Sequence, residues 1–358
     1  MHKKDTIQLP LHGGKAPAWL TKRMKELSYC ITKIIIHEEG YNGFLAKLSD
    51  PLWFQAFGCV LGYDWHSSGV TTVVTGVLKQ VLNEDLGIMI AGGKGRKGRD
   101  AIYEIEDICY KLNISDKKRE EMVYASKLAA KVDNSLLQDD YSLYHHTFII
   151  SEDGSWAVIQ QGMDINSKMA RRYHWLSNNV KEFVNEPRSG IISSDIRDNI
   201  LDLTAKESDE TRKISVDIAN DNPNNTISSI YKLMPNTLDR WIYGIEAYAM
   251  PRRLNWSIFK KIYDVHPRNY EELIAIDGVG AKTVRALALI AELIYGSKPS
   301  WRDPVRFTFA HGGKDNVPYP VDRKLYDKNI QILKEAIEGS EIDRNAKLAA
   351  LKRLRHFI

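Results

Sequence analysis

Cysteine is scarce: only Cys30, Cys59 and Cys109 occur, each far from the others. That excludes a disulfide framework and a four-thiolate metal centre, and it fits a reducing, cytoplasmic compartment. Long apolar runs are missing as well. The best candidate, Ala286 to Tyr295, is interrupted by Glu292 and is shorter than the ~20 residues a membrane helix needs, so no membrane association is expected. The opening residues Met1-His2-Lys3-Lys4-Asp5 lack the apolar core of a secretory leader. Internal repeats and low-complexity tracts are absent too. A large charge excess is not found, the net being +4, so charge alone does not identify a partner.

What is there is the composition of an ordinary globular protein, 358 residues long and 43% hydrophobic, enough for two or three cores. The charge is unevenly spread. Residues 226–358 hold 22 Lys and Arg against 15 Asp and Glu, a net of +7, which leaves −3 for residues 1–225. A positive segment on a near-neutral chain suits a local phosphate-binding face. Helical spacing runs from Trp19 to Leu48, through Trp53 and Phe57, from Gly69 to Leu82 and from Lys117 to Val132. Ala91 to Arg99 reads as a flexible basic glycine loop. Thr147-Phe148-Ile149-Ile150 and Trp156-Ala157-Val158-Ile159 flank Glu152-Asp153-Gly154-Ser155, a hairpin signal. The polar run 220–225 marks a boundary, and a long loop is expected over about 297–320. The fold class expected is α+β and mainly helical. A mixed domain with a small antiparallel sheet spans 1–225, and an all-α helix-hairpin-helix domain spans 226–358.

The sharpest local signal is Ile276-Asp277-Gly278-Val279-Gly280-Ala281-Lys282-Thr283. A short helical stretch, Tyr270 to Ile276, precedes it. A second helix follows with Val284, Leu287, Ala288, Ala291 and Ile294 on one stripe. Two glycines around one apolar residue let the backbone turn tightly and approach a phosphate without obstruction. Freed amides at the start of the second helix point outward, where the helix dipole favours an anion. Val279 is the expected apolar plug between the helices. Lys282 lies off the apolar stripe in the first turn, where the positive helix end disfavours an ammonium. A neutral amine is what a Schiff-base nucleophile requires. The plainer alternative for Lys282 is a phosphate contact.

Gly278-Val279-Gly280-Ala281-Lys282-Thr283 resembles the hairpin of base-excision DNA glycosylases of the endonuclease III type. In that family the hairpin lysine is the nucleophile of bifunctional members, and a downstream Pro-Val-Asp supplies the catalytic aspartate. This chain has Tyr319-Pro320-Val321-Asp322-Arg323. The resemblance covers roughly 240–340 and implies Lys282 and Asp322 as the catalytic pair, with helix N-capping as the plainer role of Asp322. It implies DNA contacts from Gly278, Val279, Gly280, Thr283, Arg285, Lys314 and Arg323. The 42 positions from Gly280 to Asp322 exceed the family's spacing. No cysteine follows Cys109, so the iron–sulfur cluster of many relatives has no ligands. Over its full length the chain also resembles a family of archaeal and bacterial proteins defined only as a domain of unknown function. That resemblance rests on segments such as Gly62-Tyr63-Asp64-Trp65-His66-Ser67-Ser68-Gly69 and Ala170-Arg171-Arg172-Tyr173-His174-Trp175.

In the first two thirds, Trp65, His66, His145, Gln160, Gln161 and Tyr173 offer the amide, imidazole and aromatic groups that read an extruded base. Asp64, His66, His145 and His146 with Asp139 or Asp140 could instead ligate a metal, although adjacent strand residues face opposite ways. No metal site is assigned. The expected activity is a bifunctional DNA glycosylase/AP lyase excising an oxidised pyrimidine such as 5-hydroxyuracil. The alternatives are a metal-dependent nuclease anchored by the hairpin and a non-enzymatic DNA-binding protein. The expected partner is double-stranded DNA containing a damaged base. No cofactor is required, the hairpin offers a place for a monovalent cation, and a nucleoid-associated monomer is expected.

Overall fold

The computed structural model describes residues 18–63, 68–193, 195–233, 250–251 and 253–305, together with positions 331, 335 and 338. It opens with three helices, α1 (Ala18–Ser49), α2 (Pro51–Val60) and α3 (Gly69–Val81). The apolar positions Met24, Leu27, Ile31 and Ile35 recur at three- and four-residue steps and are buried. Gly40, at φ 71°, breaks α1 into two runs. Asp50 starts α2 by accepting from the amides of Leu52 (2.7 Å) and Trp53 (3.1 Å), with Pro51 as the first helical residue.

Five strands form the main antiparallel sheet, in the order β1 (Ile88–Lys94), β3 (Ser142–Ser151), β4 (Trp156–Asp164), β5 (Met169–Leu176) and β6 (Gly190–Ile192). Between β1 and β3 come the short α4 (Arg96–Arg99), then α5 (Ala101–Lys111), α6 (Asp116–Ser135) and β2 (Leu137–Gln138). The expected hairpin at 152–155 joins β3 to β4, with Gly154 at φ 84° in the turn. The flexible basic loop expected over Ala91 to Arg99 is not what forms. Its first four residues complete β1, because Gly92 and Gly93 adopt φ of 89° and 145° that a side chain resists. A Cβ at Gly92 would also lie 2.3 Å from the carbonyl oxygen of His146.

The side chains of this sheet alternate between two cores. Ile88, Ile90, Ile149, Ala157, Ile159 and Leu176 pack against α1, α2 and α3. Ala91, Phe148, Ile150, Val158 and Trp175 belong to a second cluster with α5 and α6. That second cluster continues through α7 (Asp209–Asn220), α8 (Pro223–Leu233), α9 (Trp256–Val265), α10 (Tyr270–Ala275) and α11 (Ala281–Leu293). The boundary expected after residue 225 therefore falls inside α8. A second sheet runs β2, β7 (Asp198–Asp202), β8 (Ser300–Arg302). β8 corrects the all-α expectation for 226–358: it sits in the expected long loop and pairs Ser300 with Asp202. Among the described residues no helix is long and apolar enough to cross a membrane.

Candidate nucleic-acid interface

The hairpin forms because each turn of the chain is locally specified. Asn269 caps α10 by accepting from the Glu272 amide at 2.8 Å. The helix stops at Ile276, and Val279 N–H closes a turn onto the Ile276 carbonyl at 3.1 Å. Gly278 supplies the φ of 98° that this turn needs. A Cβ there would sit 2.9 Å from Cδ1 of Ile258 on α9, so the turn is also pressed closely against its neighbour. Val279 is 3% exposed and joins the large core, the plug expected of it.

Gly280 differs from Gly278. It is extended, at φ −144° and ψ −175°, and a Cβ built there meets no heavy atom of the described residues within 4 Å. It offers α11 no side-chain cap. The helix begins with Val284 N–H bonding the Gly280 carbonyl, so the amides of Ala281, Lys282 and Thr283 have no intrahelical acceptor. Lys282 is exposed in this first turn, and its ammonium has no hydrogen bond or ion pair among the described residues. Among the described residues, an open backbone, free amides and one unengaged cation thus share the start of a helix of 13 residues.

Two other residues of the expected interface turn inward. The Thr283 side chain is buried. Arg285 is half-buried, donates to Gln138 Oε1 at 2.8 Å and lies over the Trp301 ring at 5.7 Å, and burial lowers its pKa. It fastens α11 to β2 and β8. Asp322, Lys314 and Arg323 lie outside the described residues, as do Trp65 and His66.

Two lysines that sequence reasoning missed support the turn from behind. Lys131 of α6 donates to the Ile276 carbonyl and Lys261 of α9 to the Asp277 carbonyl, each at 2.7 Å. They neutralise the negative end of α10, where carbonyls lack helical partners. Burial lowers the Lys131 pKa, with Asp277 pulling the other way. Lys131 and Ile276 are 145 positions apart, and no local pattern signals such a pair.

The structure does not bring the expected base-reading groups together. His145 and Gln161 face α3, whereas His146, Gln160 and Tyr173 lie on the opposite side of the sheet. All five are buried and hydrogen-bonded. On the α3 side, Thr75 Oγ1 donates to the Thr71 carbonyl, so His145 Nε2–H donates to Thr75, and Nδ1 has no hydrogen-bond partner among the described residues. Burial takes the His145 pKa down to about 3. His174 accepts from Arg172 Nε on one nitrogen and donates to the Leu48 carbonyl with the other, so it is neutral. Arg172 is wholly buried among neutral acceptors, and burial lowers its pKa to about 9.

On the other side, Asp133 accepts from Gln160, from Trp175 Nε1 at 2.9 Å and from Arg188. Asp139 accepts from Arg171 at 3.0 Å and Tyr173 at 2.8 Å, and burial pushes its pKa up to about 6 against the pull of Arg171. His145, His146 and Asp139 therefore do not converge, and no group of three or more His, Cys, Asp or Glu able to hold a metal occurs among the described residues.

The sequence pattern of the family described as protein of unknown function DUF763 matches residues 5–321. That is most of the chain, and the protein belongs to this family. No curated protein and no solved structure matches it.

Proposed function

We propose that this DUF763 protein binds double-stranded DNA through the hairpin Ile276 to Thr283 and acts there as a base-excision glycosylase/lyase. The observation that carries the reading is the pairing, among the described residues, of an unobstructed backbone at Gly280 with the exposed, unengaged Lys282 in the first turn of α11. Amides at a helix start hold a phosphate, and a lysine in that same first turn is placed to act on the sugar attached to it. The Lys282 amine attacks C1′ of a damaged nucleotide. The C1′–N bond to the base breaks, and the base leaves with its electron pair and gains a proton that the amine gives up; the C1′–O4′ bond then opens, O4′ taking its electron pair and the second amine proton, to give a Schiff base. β-Elimination then breaks the C3′–O bond and nicks the strand. Assistance by Asp322 and an oxidised pyrimidine as substrate belong to the same proposal and rest on sequence resemblance. So does a monomer working at the nucleoid. A monovalent cation at the turn would compete with Lys131 and Lys261 for the Ile276 and Asp277 carbonyls, so the proposal includes no cofactor.

The test is borohydride trapping on lesion-bearing duplexes in the presence of EDTA. A covalent protein–DNA adduct is expected, lost in Lys282→Ala. An adduct that survives in that variant refutes the nucleophile. DNA binding with neither adduct nor cleavage on any lesion leaves a binding protein without this chemistry. Cleavage abolished by EDTA identifies a metal-dependent nuclease instead.

A further inference from the structure

The segment Lys94-Gly95-Arg96-Lys97-Gly98-Arg99 plays no part in the site described above, yet all four of its cations are exposed. Against them stands Asp100, which pairs with Arg96 at 3.5 Å. Lys94, Lys97 and Arg99 have no ion pair among the described residues, although Lys94 lies 5.8 Å from the centre of the Tyr144 ring. The next acid along the chain, Glu104, is engaged by Lys79 Nζ at 2.5 Å and by the Gly92 amide at 2.6 Å. Among the described residues, three cations of this turn are thus left without a carboxylate.

A specified backbone presents them. β1 pairs with β3 without interruption from Ile88 to Lys94, and the Gly95 amide then donates to the Tyr144 carbonyl at 2.8 Å. Lys79 also donates to the Gly92 carbonyl at 2.7 Å. Gly95 takes φ 65° to leave the strand, and α4 folds back on it. A Cβ at Gly98 would stand 2.8 Å from the Gly93 carbonyl oxygen and 3.3 Å from the His146 amide nitrogen, so this close return requires glycine. A turn fixed in this way loses little freedom when a ligand binds it.

The same turn is tied to the hairpin through α6. Gly98 packs on the His146 backbone, and His146 Nε2 lies 2.8 Å from Ser126 Oγ of α6. Five residues further along that helix, roughly 7.5 Å of its axis, Lys131 holds the Ile276 carbonyl of the hairpin. The packing of α5 on α6 agrees. Cys109 Sγ lies 3.7 Å from Met122 Sδ near the connection of the two helices, so they run antiparallel and α5 begins beside the half of α6 that bears Lys131. The basic turn directly precedes α5, and it therefore shares one end of α6 with the hairpin.

We propose that the turn Lys94 to Arg99 is a second contact for the DNA backbone, across which a duplex held at the hairpin also lies. This contact deepens the DNA reading and takes its partner from it. Duplex DNA carries a charge about every 1.7 Å of its axis, so a strand seated at Gly280 brings further phosphates past neighbouring cations. The guanidiniums of Arg96 and Arg99 suit paired phosphate oxygens. An anionic membrane is the poorer match. Only glycine accompanies the cations between Lys94 and Arg99, so the turn has no apolar side chain to enter a lipid interface.

Full-length protein is titrated with a labelled duplex by fluorescence anisotropy over a range of salt. Lys97→Gln/Arg99→Gln should weaken binding about tenfold. It should also flatten the plot of log affinity against log salt by about 1.8, two phosphate contacts, with the melting temperature unchanged. Lys117→Gln/Lys118→Gln removes the same charge from the exposed far end of α6 and should leave affinity within about twofold. Equal loss in both double variants, or no loss in the first, overturns the proposal. Tighter binding to phosphatidylserine vesicles than to the duplex, lost in Lys97→Gln/Arg99→Gln, overturns it in favour of a membrane surface. The two contacts fail separately. Loss of duplex binding in Lys97→Gln/Arg99→Gln but not in Gly280→Ala or Lys282→Ala sinks the hairpin contact, whereas loss in the hairpin variants alone sinks the basic turn. A wild type that binds no duplex sinks both.

Discussion

Gly280→Ala separates a DNA-contacting hairpin from a merely structural one. At φ −144° and ψ −175° the residue is in a region any amino acid adopts, and the added methyl meets nothing of the described residues within 4 Å. Two small terms oppose each other in the protein's stability. Alanine reduces the freedom of the unfolded chain, worth about 0.4–1 kcal/mol. It is also a poorer N-cap than glycine, by a comparable fraction of a kcal/mol. The melting temperature should therefore stay within about 1 °C of wild type. DNA affinity should not stay. A methyl at the point where phosphate approaches the amides of Ala281 to Thr283 removes charge-assisted hydrogen bonds worth about 1.5–3 kcal/mol, so affinity should fall roughly 10- to 100-fold. The matched control is Gly278→Ala, at φ 98° with its Cβ 2.9 Å from Ile258. It should cost about 1–3 kcal/mol in folding. Fluorescence anisotropy on a labelled duplex at fixed salt, with thermal melts in parallel, reads both. If Gly280→Ala binds DNA as tightly as wild type while melting normally, phosphate does not approach this turn and the interface is elsewhere.

Three further outcomes follow from the same geometry. Lys282→Ala should flatten the plot of log affinity against log salt by about 0.9, one phosphate contact, and an unchanged slope would remove Lys282 from the DNA interface. Val279→Ala, at a position 3% exposed, should destabilise by about 2 kcal/mol through lost burial and the cavity left behind; denaturant titration showing no loss would mean the plug is not packed. The His145 pKa near 3 in the folded protein lies below the ~6.5 of the unfolded chain. The unfolded state therefore takes up the proton first, and stability is lost as pH falls from about 6.5 toward 3. At about pH 4.5 this residue alone accounts for a loss of roughly 2–3 kcal/mol. His145→Gln keeps an N–H for Thr75 and should show that much less acid sensitivity, whereas parallel pH curves for the two proteins would show that His145 titrates normally.

The helices and the 152–155 hairpin were legible because their signals are local. Asp50-Pro51 and Asn269 sit at helix starts, apolar residues recur at helical spacing in α1, and Gly154 takes a turn conformation. The Gly278-Val279-Gly280 turn was legible for the same reason. What could not be read is which polar residues lie inside. Gln160, Gln161, Arg171 and Arg172 are polar residues in strands, a pattern that usually signals an exposed face. All four are 0% exposed, because α1, α2 and α3 cover one side of the sheet and α5 and α6 the other. Their partners come from far along the chain: Gln160 reaches Asp133 of α6, Gln161 reaches Thr71 of α3, and Arg171 reaches Asp303 beyond β8. Each group is tolerable only when its partner is present, and neither half announces the other in sequence.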